Sequence, residues 1–247
     1  MTPFVTIFGH GRSGTSTLRQ IYNCNQGFNL LGEPFNPSFN NWSPNLPRFS
    51  ELVTNIGVQQ CVAAMRAVPC HGMKHLKHQL SAADNLWLLT QPDHRVVFVW
   101  RRNLLQTAVS ISLAKATSIW ARDDVADISA AYRRLPPLNT AEILDSMERI
   151  GGQVEWYRKS LKFWRVPHFE LVYEDFYVHH DEAKKLDTLR EMFRFTGTDA
   201  SKCDWGRVKE LLATNKLNDH THHLIPNFQE VANLGSAARG FLTVPYT

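Results

Sequence analysis

The feature that most constrains the fold is the stretch FVTIFGHGRSGTSTLRQIY at residues 4–22. A short apolar run, Phe4 to Phe8, is followed by a turn with three glycines and then by residues that favour a helix. A strand that enters such a turn and continues as a helix directs several backbone N–H groups at one point, which the helix N-terminus makes electropositive. The stretch therefore predicts the first strand and helix of an α/β domain, with an anion site between them.

Further strands are expected along the chain, separated by helical patterns. Most of them are short apolar runs without alternation, which is typical of strands covered on both faces of a sheet. These runs are Phe28–Leu31, His71–Lys74, Arg95–Trp100 and Phe169–Tyr173. Alternating strands and helices predict a P-loop-like three-layer α/β fold with a parallel central sheet flanked by helices.

The clearest helical pattern starts at Asn139, with Glu142 three residues later as in a capping box. Apolar residues then recur at alternating steps of four and three, as on one face of a helix. They are Ile143, Met147, Ile150, Val154, Tyr157, Leu161 and Trp164. We expect this face to pack in the core rather than to bind a cofactor, and we expect the pair Gly151-Gly152 to bend the helix.

Two stretches, 36–50 and 117–139, carry no regular pattern. The first has three prolines and four asparagines, and the second combines Trp120, paired charges and Pro136-Pro137. Loops of this length in a compact domain are often lids or binding loops. An ordinary surface loop is an equally open interpretation of each.

The composition is that of one globular domain, 1–247, because no linker or shift in composition divides the chain. The four cysteines form no CxxC pair, so reduced structural thiols are expected. No apolar run reaches the roughly 20 residues of a membrane span, and a first strand near residue 3 leaves no room for a signal peptide. We therefore expect a cytoplasmic protein.

The net charge of +4 is modest for 247 residues. A general nucleic-acid binder would carry clustered runs of Lys and Arg, so we expect no nucleic-acid partner. A small polyanion held in one basic pocket suits this charge better.

The glycine-rich turn differs from a P-loop in the place of its cation. A P-loop has Lys and then Ser or Thr after its last glycine, whereas Gly14 is followed by Thr15 and Ser16 and the long cation is Arg12. A kinase also needs an acid for magnesium, which we would expect at the end of the strongest interior strand. There the chain reads VVFVWRRN, with two arginines and no acid. This end of the sheet is therefore predicted to bind a second phosphate rather than magnesium.

These residues resemble the sulfotransferases that use 3′-phosphoadenosine 5′-phosphosulfate (PAPS). Arg12-Ser13-Gly14-Thr15-Ser16 matches their first loop, and Arg102 with Ser110 eight residues later matches their second motif. The resemblance implies that the first loop binds the 5′-phosphosulfate of PAPS without a metal. It implies that the second motif binds the 3′-phosphate, and that 3′-phosphoadenosine 5′-phosphate (PAP) is the product. The detailed resemblance covers residues 4–36, 95–114 and 168–176.

The resemblance assigns further residues to the donor site. Gly11 and Thr17 flank the first loop, and Thr17 stands where the cytosolic enzymes place an aromatic that stacks on adenine. Tyr173 begins the sequence Tyr173-Glu174-Asp175 and matches a family tyrosine that lies beside the adenine. A structural role for Tyr173 is equally open. Arg239-Gly240 matches part of an Arg-Lys-Gly that helps to hold the 3′-phosphate.

Two groups could take the proton of the acceptor hydroxyl as general base. Carbohydrate sulfotransferases of the Golgi type, and some bacterial ones, use a Glu before Pro at the place of Glu33. The cytosolic enzymes use the His of a Lys-x-His, but Lys74-His75 and Lys77-His78 lack the one-residue gap. We therefore favour Glu33 as base, with Arg12 neutralising the phosphosulfate and Lys74 contacting the sulfuryl group.

The resemblance implies transfer of a sulfuryl group from PAPS to a hydroxyl, and the Glu-Pro pair favours a carbohydrate or glycolipid acceptor. Two alternatives stay open. One is a P-loop kinase of a small molecule, which the missing lysine disfavours. The other is a module that binds the nucleotide without turnover.

Overall fold

Five strands form one parallel sheet in the computed structural model, which describes residues 3–38, 47–120, 128–178, 181–214 and 224–237. The strands are β1 (Phe4–Gly9), β2 (Leu30–Gly32), β3 (Gly72–Leu76), β4 (His94–Trp100) and β5 (His168–Val172). They lie in the order β2-β3-β1-β4-β5, and every neighbouring pair is parallel. The predicted α/β class with a parallel central sheet is confirmed.

Helices separate the strands along the chain. In the described ranges they are α1 (Thr15–Asn23), α2 (Phe49–Arg66), α3 (Ala82–Leu89), α4 (Leu104–Thr117), α5 (Ile128–Arg133), α6 (Thr140–Phe163), α7 (Glu182–Thr196), α8 (Trp205–Thr214) and α9 (Phe228–Ala237). Within these ranges no helix combines the length and the apolar character needed to cross a membrane.

The chain forms two compact units. The sheet unit comprises Met1–Trp100 with Arg158–Ala213 and contains all five strands. The helical unit comprises Arg101–Tyr157 with Thr214–Thr247. Our expectation of a single domain, 1–247, stays a prediction.

Apolar side chains cover both faces of the sheet, because alternate residues of a strand point to opposite faces. On one face, Val5 of β1 belongs to a buried cluster with Leu18 of α1 and Phe193 of α7. On the other face, Phe4 belongs to a cluster with Met65 of α2. Every residue of β1 is buried, so a strand held from both sides positions the turn that follows it.

The strands lie within two residues of their predicted bounds, and the start of β2 shows why they differ. The sequence predicts a strand from Phe28, but the Phe28 N–H donates to the Asn25 carbonyl in a turn, with an N···O distance of 3.0 Å. The Asn23 side chain then accepts from the Leu30 N–H at 2.8 Å. Hydrogen bonds to the turn after α1 and to the Asn23 side chain therefore keep residues 28 and 29 out of the sheet, and β2 begins at Leu30.

The helix predicted from Asn139 is α6. Asn139 Oδ1 accepts from the backbone N–H groups of Ala141 and Glu142 at 3.1 and 3.3 Å, which is the expected N-cap. Gly151-Gly152, where we predict a bend, lies inside a continuous helix.

The predicted core face of α6 is buried from Ile143 to Leu161. Trp164 is different, because α6 ends at Phe163 and the side chain of Trp164 is 59% exposed. Its assignment to the core is therefore wrong. The apolar spacing continues past the residue at which the helix stops.

The two stretches without a pattern have different outcomes. Residues 39–46 of the first lie outside the described residues, and α2 begins at Phe49. In the second, residues 121–127 lie outside them, but Ile128–Arg133 form α5. The expectation of a loop throughout 117–139 is wrong at α5, because a six-residue helix is too short to show a helical period.

Candidate functional site

The turn after β1 has the backbone geometry of an anion site. Arg12 and Gly14 both adopt left-handed conformations, with φ of 67° and 84°. Gly14 is the N-cap of α1, and no side chain in the described part of the chain caps this helix. The first-turn N–H groups of α1 therefore lack a side-chain acceptor and can bind an anion, which the helix N-terminus favours.

Tyr177 packs against Gly14 of this turn. Its hydroxyl donates to the Gly14 carbonyl at 2.8 Å. A Cβ atom at Gly14 would lie 2.4 Å from Tyr177 Cε2, so only glycine fits between the turn and this ring. Ser13 adds a second support, since its buried hydroxyl donates to the His10 carbonyl at 2.5 Å. Ser13 can thus offer a ligand its backbone N–H, while its hydroxyl is used within the turn.

The first residues of α1 differ in what they offer. Thr15 and Thr17 are buried, whereas Ser16 is exposed and its Oγ accepts from Lys74 Nζ at 2.8 Å. A serine hydroxyl that accepts one hydrogen bond can still donate one. Ser16 therefore connects the turn to β3 and keeps a proton for an anion. Gly11, on the other side of Arg12, is half-buried.

Glu33 follows β2 directly and is hydrogen-bonded to Lys74 of β3. Its N–H donates to the Lys74 carbonyl at 2.9 Å, and its Oε1 forms a short ion pair with Lys74 Nζ. Its Oε2 accepts from Asn36 Nδ2 at 2.6 Å and from Gln79 Nε2 at 2.7 Å. The structure therefore brings the predicted residues Glu33, Lys74 and Ser16 into one hydrogen-bonded chain.

The hydrogen bonds leave room for one more donor. A carboxylate has about four lone-pair positions, two on each oxygen. Among the described residues, Oε2 of Glu33 accepts two hydrogen bonds and Oε1 accepts one. Oε1 can therefore accept a further proton donor while Lys74 stays in place.

Charge decides the protonation of this pair. Burial favours the neutral acid at Glu33, but the charge and hydrogen bond of Lys74 and the amides of Asn36 and Gln79 outweigh it and lower its pKa. Glu33 is therefore a carboxylate at neutral pH. Burial also lowers the pKa of Lys74, which Glu33 opposes and the charges of Arg19 and Arg12 reinforce.

Backbone strain marks two of the predicted site residues, Arg12 and Glu33. In the described part of the chain, four residues other than glycine have left-handed φ: Arg12, Glu33, Ser118 and Arg165. Ser118 and Arg165 lie at the ends of α4 and α6, where such a conformation is common. Arg12 and Glu33, with φ of 67° and 49°, do not end helices. Strain of this kind costs of order 1–3 kcal/mol and concentrates at functional sites.

Arg19 is a charged residue of this site that the sequence analysis misses. It lies one helical turn after Ser16 on α1, so the two residues are neighbours on the helix surface. Burial lowers its pKa, and the negative charge of Glu33 opposes this. No hydrogen bond or ion pair of its guanidinium occurs among the described residues. The three-residue step from Ser16 is the signal that could have identified it.

The two histidines considered as bases lie in different surroundings. His75 is fully buried, and its Nε2 contacts Asn85 Oδ1 at 2.6 Å. Burial lowers the pKa of His75 to about 4, so it is neutral at neutral pH. The side chain of His78 is exposed. Neither histidine takes part in the Glu33–Lys74–Ser16 chain.

The second predicted motif belongs to the helical unit. Asn103 caps α4, since its Oδ1 accepts from the Gln106 N–H at 2.9 Å. Arg102 directly precedes this cap and is half-buried, and Ser110 is buried two turns along α4. Capping thus explains Asn103, while Arg102 and Ser110 stay predicted ligands of a 3′-phosphate.

The remaining predicted ligands divide between two regions. Tyr173 directly follows β5, and its ring packs against that of Tyr177 with centroids 4.8 Å apart. It therefore stands next to the tyrosine that supports the turn, which gives it a structural contact. Arg239-Gly240 lies outside the described residues.

Comparison with known proteins adds no family to this geometry. The chain matches no protein-family model, and no curated protein matches it.

Proposed function

We propose that the chain is a sulfotransferase that moves a sulfuryl group from PAPS to a hydroxyl, with a carbohydrate or glycolipid as acceptor. The main observation behind the proposal is the hydrogen-bond network of Glu33, Lys74 and Ser16. It connects a buried carboxylate to the turn that we propose binds an anion. A base and an anion site held at one place are what transfer from an activated sulfate to a hydroxyl requires.

Residues 11–17 are proposed to hold the phosphosulfate. Arg12 can bind two of its oxygens at once through the planar guanidinium. The N–H groups of the first turn of α1 and the Ser16 hydroxyl supply further donors. These groups stabilise the charge that the 5′-phosphate gains as it leaves. The assignment of Arg102 and Ser110 to the 3′-phosphate, and of Tyr173 to the adenine, rests on the sequence motifs.

Glu33 is proposed to accept the proton of the attacking hydroxyl on Oε1, which still has room for one donor. The hydroxyl oxygen forms a bond to sulfur, and the bond from sulfur to the bridging oxygen breaks in line with it. The electron pair of that bond leaves with the 5′-phosphate of PAP, and the proton stays on Glu33. Its lowered pKa keeps it ionised and ready at neutral pH.

Lys74 is proposed to act at both ends of this step. An ammonium has three N–H donors, of which one binds Glu33 and one binds Ser16. The third can reach an oxygen of the transferring group. Arg19 adds a second cation beside the pair, so the described residues here carry more positive than negative charge. This excess favours an anionic donor.

Transfer of labelled sulfate from PAPS into a panel of glycans and glycolipids tests the proposal directly. We expect incorporation into at least one hydroxyl acceptor. Inertness toward the whole panel, together with tight binding of PAP, would favour a nucleotide-binding module instead.

Ligand-induced stabilisation tests the donor separately. We expect PAP to raise the melting temperature more than Mg-ATP does, and a ligand at about 100 times its dissociation constant stabilises the fold by roughly 2.7 kcal/mol. Arg102→Ala and Ser110→Ala should each lose the preference for PAP over 5′-AMP, because a charge-assisted contact is worth about 1.5–3 kcal/mol. A larger rise with Mg-ATP would favour a kinase.

A further inference from the structure

The end of α6 exposes two aromatic side chains. Phe163 is 77% exposed and Trp164 is 59% exposed, the highest values for large hydrophobic residues in the described ranges. The two rings pack edge to face, with centroids 5.2 Å apart and an angle of 90°. Two neighbouring aromatic rings that meet water are a costly surface for a protein to keep, and such patches mark interaction sites.

The way α6 ends turns these rings outward. The Val166 N–H donates to the Leu161 carbonyl at 2.9 Å, and the Arg165 N–H donates to the Lys162 carbonyl at 3.1 Å. These bonds form a Schellman motif, in which Arg165 occupies the left-handed position with φ of 51°. Leu161 and Val166 are both buried. Residues 162–165, which lie between these two buried residues, therefore form an exposed turn.

Basic residues surround the two rings. Residues 156–169 contain four basic residues and no Asp or Glu. Arg158 is used within the sheet unit, in an ion pair with a β5 carboxylate at 2.7 Å. Lys159, Lys162 and Arg165 are exposed. Across the described ranges, Lys162 and Arg165 have no ion-pair partner.

We propose that the aromatic–basic turn, Lys159 to Arg165, docks the protein on an anionic membrane surface. Phe163 and Trp164 enter the boundary between headgroups and acyl chains, where aromatic side chains are favoured. Lys159, Lys162 and Arg165 remain at the level of the anionic headgroups. Each basic residue near such a surface strengthens binding by about fivefold. The contact is peripheral, and it goes beyond the proposed function because it concerns where the protein acts.

The chemistry of the turn favours a lipid surface over a protein partner. The central part of a protein interface is depleted in lysine and is usually formed by a broad complementary surface. Here the aromatic rings sit on a narrow projecting turn with lysine and arginine beside them. A bilayer accepts this shape, because headgroups rearrange around inserted rings and a lipid surface supplies many negative charges.

Vesicle sedimentation tests the proposal. We expect the full chain to sediment with vesicles of phosphatidylcholine and phosphatidylglycerol, and to bind vesicles of phosphatidylcholine alone much more weakly. Binding should fall as salt is added, since the headgroup charges become screened. The double variant Phe163→Ser with Trp164→Ser should lose most of the binding, and Lys162→Gln should weaken it by about fivefold.

Arg165→Gly separates binding from folding. Glycine suits the left-handed position better than arginine does, so this variant should have a higher melting temperature than the wild type. It should nevertheless bind anionic vesicles about fivefold more weakly. Lys184→Gln is the matched control, because Lys184 is also exposed but lies near the start of α7. It should leave binding unchanged.

Three outcomes overturn the proposal. In the first, the wild type binds both kinds of vesicle equally or binds neither. In the second, the aromatic double variant binds as well as the wild type. In the third, the wild type self-associates without vesicles and the same double variant abolishes this, which would make the turn an interface between copies of this chain.

Discussion

Lys74 and His75 are neighbours on β3 and are both buried, yet they belong to clusters of opposite charge state. Lys74 belongs to a carboxylate cluster with Glu33 and Ser16. His75 belongs to a histidine cluster with Asn85 and Gln79. The first cluster keeps an ionised carboxylate inside the fold, whereas the second keeps a neutral ring. Gln79 contacts both, since its amide also donates to Glu33 Oε2.

The difference between the clusters is the kind of partner. Burial opposes the ionised form of both Glu33 and His75. An opposite charge at hydrogen-bond distance overcomes this cost for Glu33, but the amides around His75 do not overcome it. Asn85 Nδ2 donates to the Lys77 carbonyl at 2.7 Å, so its oxygen faces His75 Nε2, while Gln79 Oε1 lies 3.1 Å from His75 Nδ1. A neutral ring that already donates to an amide is poorly placed to take a proton from a substrate.

The largest expected effect separates the two clusters by catalysis. Glu33→Gln should lower turnover by roughly 10²–10⁴-fold, because the amide keeps the size of the side chain but cannot accept a proton. PAP binding should be nearly unchanged. Turnover is to be measured at saturating donor, with an acceptor found in the transfer assay.

His75→Ala and His78→Ala are the controls for this comparison, and each should cost far less turnover than Glu33→Gln. Near-normal turnover in Glu33→Gln, with collapse in either histidine variant, would reverse the roles of the clusters. It would also move the expected acceptor from sugars to small hydroxylated aromatics or lipids.

Removing the charge of Lys74 should lower the free energy of unfolding, because the buried Glu33 carboxylate loses its charge partner. Lys74→Met leaves Glu33 buried without its charge partner, and breaking a buried pair in this way costs about 3–5 kcal/mol of unfolding free energy. The loss should shrink at acid pH, where Glu33 becomes protonated. Urea unfolding at several pH values measures both. If Lys74→Met is as stable as the wild type at neutral pH, the buried pair is not what holds β2 to β3.

The histidine cluster should respond to pH in a window of its own. The pKa of His75 is about 4 in the folded chain, against an ordinary value of 6.5, so the unfolded chain takes up the proton first as pH falls. The stability that neutral His75 contributes is complete above about pH 6.5 and is lost as pH falls toward 4, by up to about 3 kcal/mol. Urea unfolding across this range measures the loss.

His75→Gln should remove this part of the pH dependence. His94, also buried with a pKa of about 4, is the matched comparison, and His94→Gln should remove a similar share. A pH profile that is the same in His75→Gln and the wild type would contradict the neutral, buried state of His75.

The smallest effect concerns the residue between the clusters. Gln79→Met removes one of three donors to Glu33, so the pKa of Glu33 should rise by less than in Lys74→Met. The unfolding free energy should fall by about 1 kcal/mol. The acid limb of the pH–rate profile should shift to higher pH in both variants. The shift should be small for Gln79→Met and larger for Lys74→Met. A larger shift from Gln79→Met would mean that the amide, and not the lysine, controls the carboxylate.

Much of the fold was predictable because it depends on neighbours in the chain. The strand, turn and helix of residues 4–22 carry their own glycines and apolar runs, and most residues of β1 and β4 are buried and apolar. The end of α6 was not predictable, because the left-handed position that stops the helix is Arg165 instead of glycine. Pro167 limits the helix to the residues before it, but no glycine marks the turn that stops the helix before Trp164.

The candidate site was predictable in some of its members but not in its connections. Glu33 is predicted from the Glu-Pro pair, and Lys74 from an incomplete match to Lys-x-His. They lie 41 residues apart, and only the pairing of β2 with β3 brings them together. Tyr177 gives no local signal, since its partner Gly14 is 163 residues away. Long-range contacts of this kind depend on the order of strands, which no local pattern encodes.

The packing of Tyr177 on Gly14 has an evolutionary consequence. The ring fills the space that a side chain at position 14 would need, and its hydroxyl is spent on the carbonyl of the same residue. Neither residue can change alone without loss. A small residue at 177 would free the space beside position 14, but the left-handed φ of 84° there still favours glycine or asparagine. Among descendants of a common ancestor, these two positions should therefore covary. A larger residue at 14 should be accompanied by a residue smaller than tyrosine at 177.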